Sequence, residues 1–162
     1  MNLYKFSFLV LSLAFLASCS SDETPTNMVD PNDPSVIVWD GATISFTKEN
    51  STDPGIEANQ DRIVDNVWIT RGNDGGQIYN AAVESSANKQ SSPAGTEWAE
   101  GSLDELNDLN FQPFRAAVGD PKNVVGKDLV LHLIEDNIYL SIRFTSWSQG
   151  RLGGFAYTRS TE

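Results

Sequence analysis

The stretch from Asp128 to Trp147 reads DLVLHLIE, then DN, then IYLSIRFTSW, and its pattern decides the fold. In the second run Ile138, Leu140, Ile142 and Phe144 point one way, while Tyr139, Ser141, Arg143 and Thr145 point the other. An alternation of period two puts successive side chains on opposite faces of a pleated strand, so this run is a half-buried strand. Asp136-Asn137 is turn chemistry between two β-rich runs, which predicts a hairpin. Downstream, Gly150 to Gly154 turns the chain and Phe155 to Ser160 is the last strand.

Working upstream, Val36 to Trp39 and Ala42 to Lys48 flank Asp40-Gly41, which predicts a hairpin or a bulged strand. Residues 49–64 read as a long acidic loop. Asn66 to Arg71 is β-branched and aromatic and so a strand, Gly72 to Gly76 is a flexible turn, and Ile78 to Val83 pairs back. Residues 84–95 have loop chemistry, and Thr96 to Ala99 is a short strand carrying Trp98. Ser102 followed by Glu105 predicts a capping box, with Leu103, Leu106 and Leu109 on one face and Pro113 as a stop. Short strands at regular spacing predict an all-β domain over residues 36–162: a single antiparallel β-sandwich or jelly-roll-like fold with at most one short helix.

The first 19 residues read MNLYKFSFLVLSLAFLASC. Lys5 is a positive start, and Phe6 to Phe15 is an apolar run. It is too short for a membrane helix, which needs roughly 20 residues. Leu16-Ala17-Ser18-Cys19 resembles a bacterial lipobox, which implies that residues 1–18 are a signal peptide and that Cys19 carries the lipid. Cys19 is the one cysteine of the chain. Ser20 after it resembles lipoproteins sent to the outer membrane, and Asp22-Glu23 resembles a surface-export signal. The expected partner is therefore a lipid bilayer, in the cell envelope, with the domain periplasmic or surface-exposed. Residues 19–35 are polar and proline-rich and are expected to be a flexible linker.

Several strings of the body are similar to a family of secreted bacterial β-rich domains. They are DRIVDNVWITR (61–71), SPAGTEWA (92–99), FTSWS (144–148) and GGFAYTRS (153–160). The resemblance covers residues 40–160. It implies an extracellular all-β domain and brings no catalytic residues with it.

Composition narrows the function. With 11 Lys and Arg against 22 Asp and Glu, the formal net charge is −11, which argues against nucleic acid as a partner. One Cys and one His exclude a disulfide scaffold and a zinc site built from thiolates and imidazoles. His132 sits on a strand without a Gly-x-Ser-x-Gly partner, so no catalytic triad is expected. Acids in strands are confined to strand ends (Glu84, Glu97, Glu135, Asp136), which gives no glycosidase-like pair on one sheet face. The 49–65 loop brings Asp53, Asp61 and Asp65 close in sequence; a structural calcium on these oxygens is one reading and plain solvated charge the other. Trp147 and Trp98 are candidate platforms for a sugar, with core packing as the alternative. Arg71, Arg143 and Arg159 are expected to pair with carboxylates or cover aromatic rings. The expectation is a non-catalytic, anchored β-sandwich that binds glycan or takes part in adhesion or envelope interaction. A small hydrolase on glycans or peptides and an assembly lipoprotein with a protein partner are the alternatives.

Overall fold

A computed structural model describes residues 29–30 and 32–162. The expected signal peptide, Cys19 and the start of the linker lie outside the described residues. Nine strands form two sheets: β1 (Ile37–Trp39), β2 (Ile44–Lys48), β3 (Asp61–Val64), β4 (Val67–Arg71), β5 (Ile78–Asn80), β6 (Thr96–Glu100), β7 (Asp128–Leu133), β8 (Ile138–Trp147) and β9 (Phe155–Arg159). The larger sheet runs β2-β9-β8-β7-β6 with β1 beside β8, and the smaller runs β3-β4-β5. Among the described residues one short helix, α1 (Phe114–Val118), and three 3-10 segments of three to six residues complete the domain. The all-β sandwich expectation holds.

The predicted hairpin at Asp136-Asn137 is β7–β8, paired from Asp128↔Arg143 to Leu133↔Ile138. Asn137 takes φ of 50°, a left-handed value that Asn tolerates better than most residues. The expected faces of β8 are also correct. Ile142 and Phe144 are buried, while Arg143 is exposed and Ser141 half-buried. A bulge between Phe144 and Ser146 leaves Thr145 and Ser146 both exposed and returns Trp147 to the core.

The two sheets bury Ile63, Val67, Ile69 and Ile78 against Leu129, Leu131, Leu133, Leu140, Ile142 and Phe144. Aromatic rings close one end of this layer. Phe144 lies 5.8 Å from Phe114, 5.8 Å from Trp147 and 5.3 Å from Tyr157 between ring centroids. These separations fall within the favoured range for tilted aromatic pairs. A polar link also joins the sheets. Asp61 on β3 accepts from Arg159 Nε at 2.7 Å, Arg159 Nη2 at 3.0 Å and Tyr157 Oη at 2.6 Å on β9.

Three expectations are corrected. Val36–Trp39 and Ala42–Lys48 do not form a hairpin: β1 runs parallel to β8, and β2 pairs with β9. Gly41 serves a close approach to the C-terminus, since a Cβ there would lie 2.2 Å from the Glu162 carbonyl oxygen. β1 instead continues the line of β9 along β8. The joint is Ser160, whose Oγ donates to Trp39 O at 2.5 Å and accepts from Ser141 N at 3.0 Å. Second, the acidic loop ends early, because Asp61–Val64 is a strand that faces Asp61 and Ile63 inward. Third, the end of the linker docks on the domain. Val29 and Val36 pack on the outer face of the large sheet, and Asn137 Nδ2 donates to Ser35 O at 2.9 Å.

The capping box at Ser102 is present, with Glu105 Oε2 accepting from the Ser102 N–H at 3.1 Å, but the turn it opens is 3-10 (Leu103–Asp108). That turn and the chain up to Phe111 cover part of the large sheet's outer face. They bury a second cluster of Ala99, Leu106, Leu109, Phe111, Val130 and Tyr139.

Candidate functional site

Before the bulge, the odd-numbered side chains of β8 (Tyr139, Ser141 and Arg143) face outward from the sandwich. At Tyr139 that face is covered by Phe111 and the second apolar cluster. Toward Arg143 the cover stops and the sheet lies open. A groove of about 370 Å³ occupies the gap. Its floor is Ser141 and Arg143 of β8 with Thr158 of β9. One wall is Asp40 to Thr43, between β1 and β2, and the other is Gly101 to Asp104, after β6. Arg143 pairs with Asp128 across the β7–β8 ladder, so the floor carries a guanidinium and a carboxylate side by side. The lining is rich in hydroxyls, and Asp40 and Asp104 stand on the opposite walls.

The residues singled out from the sequence are placed elsewhere. Trp98 is fully buried, with its Nε1 donating to Thr96 Oγ1 at 2.8 Å and Phe114 edge-on at 5.0 Å. It offers no face to a ligand, which corrects its place as a platform. Trp147 is 8% exposed, and the Arg71 guanidinium covers its ring at 4.0 Å from the centroid. It is a core residue at the edge of a cleft, not an open stacking surface.

The three aspartates do not converge. Asp53 Oδ1 accepts from the Gly55 N–H at 2.8 Å, closing a local turn. Both oxygens of Asp61 are taken by Arg159 and Tyr157. Asp65 lines a separate shallow cleft with Asn66, Glu135 and Asp136. Among the described residues no three acidic, His or Cys side chains group as metal ligands.

His132 stacks on Tyr139 with ring centroids 4.1 Å apart and planes 3° from parallel. Its Nε2 lies 3.1 Å from Asn137 Oδ1, and its Nδ1 lies 3.6 Å from Glu97 Oε2. Burial lowers its pKa, against the opposing pull of Asn137 and Glu97. The ring is thus a packed, hydrogen-bonded strand residue, and none of these partners is a Ser, Thr or Cys.

The three arginines follow the expected pattern. Arg159 pairs with Asp61, Arg143 with Asp128, and Arg71 covers Trp147. Reading from sequence missed Asp104, Asp128 and Thr158 as groove residues. The outward face of β8 was legible; which part of it stays uncovered depends on where residues 101–113 lie.

Comparison with protein-family models, with curated proteins and with solved structures gives no match. Geometry and chemistry carry the functional reading.

Proposed function

We propose that this chain is an envelope lipoprotein, anchored to the outer membrane through Cys19, whose β-sandwich is a non-catalytic glycan-binding module. The hydroxyl-lined groove on the large sheet supports glycan as the ligand more than any other feature. A sugar ring presents hydroxyls that both donate and accept. Thr43, Ser141 and Thr158 along the groove match that dual character, and the Arg143–Asp128 pair adds fixed donors and acceptors. Each such hydrogen bond adds only about 0.5–1.5 kcal/mol net, because water is displaced from both partners. A single groove therefore binds weakly. Many copies anchored to one membrane would engage a polymer together and gain avidity.

The test is retention of the full chain on immobilised polysaccharides. Arg143→Ala and Thr158→Ala should each reduce retention while leaving the melting temperature nearly unchanged. Absence of retention on every polysaccharide would sink the glycan reading and leave a protein partner, to be sought by crosslinking in intact cells.

Hydrolysis of a glycan is the second reading, and Asp40 and Asp104 on opposite walls of the groove favour it. Two carboxylates flanking a scissile bond are what glycoside hydrolysis requires. Release of reducing ends, abolished in Asp104→Asn, would replace the non-catalytic reading.

A further inference from the structure

A second cleft, of about 350 Å³, lies at the end of the sandwich beside Trp147. Four of the chain's 11 basic residues line it: Arg71, Lys89, Arg115 and Lys122. Asp120 is the one acid in its lining, and it is engaged by Lys122 at 3.1 Å. In a chain with twice as many acids as bases, that concentration runs against composition. Among the described residues Arg62, Lys127, Arg143 and Arg159 each have a carboxylate partner elsewhere. Among the described residues Arg71, Lys89 and Arg115 make no ion pair with a carboxylate, and all three line the same cleft. Lys48 and Arg151 also make no ion pair among the described residues, but neither lines the cleft.

Arg71 makes the strongest case. It is only 3% exposed, yet three backbone carbonyls, and no anion, receive its hydrogen bonds. Nε donates to Gly76 O at 3.1 Å, and Nη1 donates to Ser148 O at 2.9 Å and Gly154 O at 3.1 Å. Nη2 has no partner among the described residues and is not sealed from solvent. Arg159, similarly buried, is answered by Asp61; Arg71 has no equivalent. A buried cation without a counter-ion is costly, and a charged ligand removes that cost. Arg115 is aimed by its neighbours: its Nε donates to Gln77 Oε1 at 3.0 Å, and Gln77 is itself tied to Asn88 O and Ser92 O. That fixes one side of the guanidinium and leaves its two Nη groups for the cleft.

We infer that this cleft binds an oxyanion — a carboxylate, sulfate or phosphate — carried on an acidic polysaccharide. Arg71 and Arg115 supply the planar donors that such groups accept in pairs, and the exposed Lys89 and Lys122 add positive charge beside them. The site is separate from the groove on the sheet. Only the carrier rests on the glycan reading; anion binding itself does not.

The experiment measures binding of the full chain to inorganic sulfate, inorganic phosphate, glucuronate, dextran sulfate and neutral dextran. The charged polymer should bind, neutral dextran should not engage this cleft, and affinity should fall as salt rises. Lys89→Gln with Arg115→Gln should weaken binding by about tenfold or more, at unchanged melting temperature. Arg71→Met should abolish it; because that change also disturbs the core, the Lys89/Arg115 variant keeps the test independent of folding. Arg143→Gln, in the groove, should leave anion binding intact even where it removes neutral-glycan retention. Equal affinity for free sulfate and dextran sulfate would uphold the cleft and overturn the polysaccharide as carrier. No anion binding, or binding unchanged in the Lys89/Arg115 variant, would overturn the site.

Discussion

Replacing Asp61 by Ala should be among the most destabilising single changes outside the apolar core. Asp61 joins the two sheets and accepts three hydrogen bonds, two from Arg159 and one from Tyr157. The paired side chains are 9% and 7% exposed, so little water can replace the lost carboxylate. Removing it strands a buried guanidinium and a phenol. Breaking a buried ion pair in this way costs about 3–5 kcal/mol. Domains of this size have a total stability of about 5–15 kcal/mol, so the variant would be marginal. Asp61→Asn keeps the shape and one acceptor but loses the charge, and should cost about 1.5–3 kcal/mol. A triple change of Asp61→Leu, Arg159→Met and Tyr157→Phe removes every group of the network. It should recover much of the loss, because apolar replacements of a buried pair are often neutral. Urea unfolding separates these outcomes: the midpoint should fall in the order Asn then Ala, with the slope unchanged. A cost below about 1 kcal/mol for Asp61→Ala would refute the idea that the network holds the sheets together.

Phe144→Ala should cost about 3–5 kcal/mol and Arg143→Ala under about 1, and equal costs in urea unfolding would mean the faces of β8 are reversed. Burial, with the Asp61 charge next, raises the Tyr157 pKa well above its ordinary value. The neutral phenol is therefore favoured in the folded state, and this contribution is intact below about pH 10 and lost as pH rises above it. Tyr157→Phe should flatten the alkaline part of the stability profile, leaving the smaller slopes from Tyr79 and Tyr139, which burial also raises. An unchanged slope would count against that assignment. His132 has the opposite sense: burial depresses its pKa, so stability present above about pH 6.5 is lost as pH falls below it. His132→Gln should remove that acid-side slope, checked by urea midpoints between pH 7 and pH 5. Because Asp61 has both oxygens engaged by Arg159 and Tyr157, and Asp53 and Asp65 stand in separate places, melts in calcium and in chelator should coincide; a rise of several degrees in calcium would show a site that these contacts do not explain.

Much of this fold was legible because local signals and tertiary contacts agree. The alternation of β8, the turn at Asp136-Asn137 and the glycine-rich turn after Arg71 each specify an element on their own. The errors fall where a tertiary partner overrides a local cue. Asp40-Gly41 carries hairpin chemistry, yet Gly41 is there to let the C-terminal carbonyls approach, and the strands on either side find partners in β8 and β9. Asp61 reads as loop because it is acidic. It is a strand residue only because Arg159, 98 positions later, answers its charge inside the sandwich.

The candidate sites were harder to read for the same reason, applied to charge. Sequence shows how many acids and bases there are, not which of them meet. Acids that cluster along residues 49–65 disperse in space: one closes a turn, one links the sheets, and one borders a separate cleft. Bases at positions 71, 89, 115 and 122 carry no motif and fall in four different segments, yet the fold gathers them around one opening beside Trp147. On sequence Trp147 is a candidate platform for a sugar. What gives its surroundings a chemical character is the arginine lying on it, and that arginine is legible only once β4 and the end of β8 are seen to pack together. A surplus of acid in the whole chain therefore does not exclude an anion as ligand. It makes the few bases left without a partner the most informative charges in the molecule.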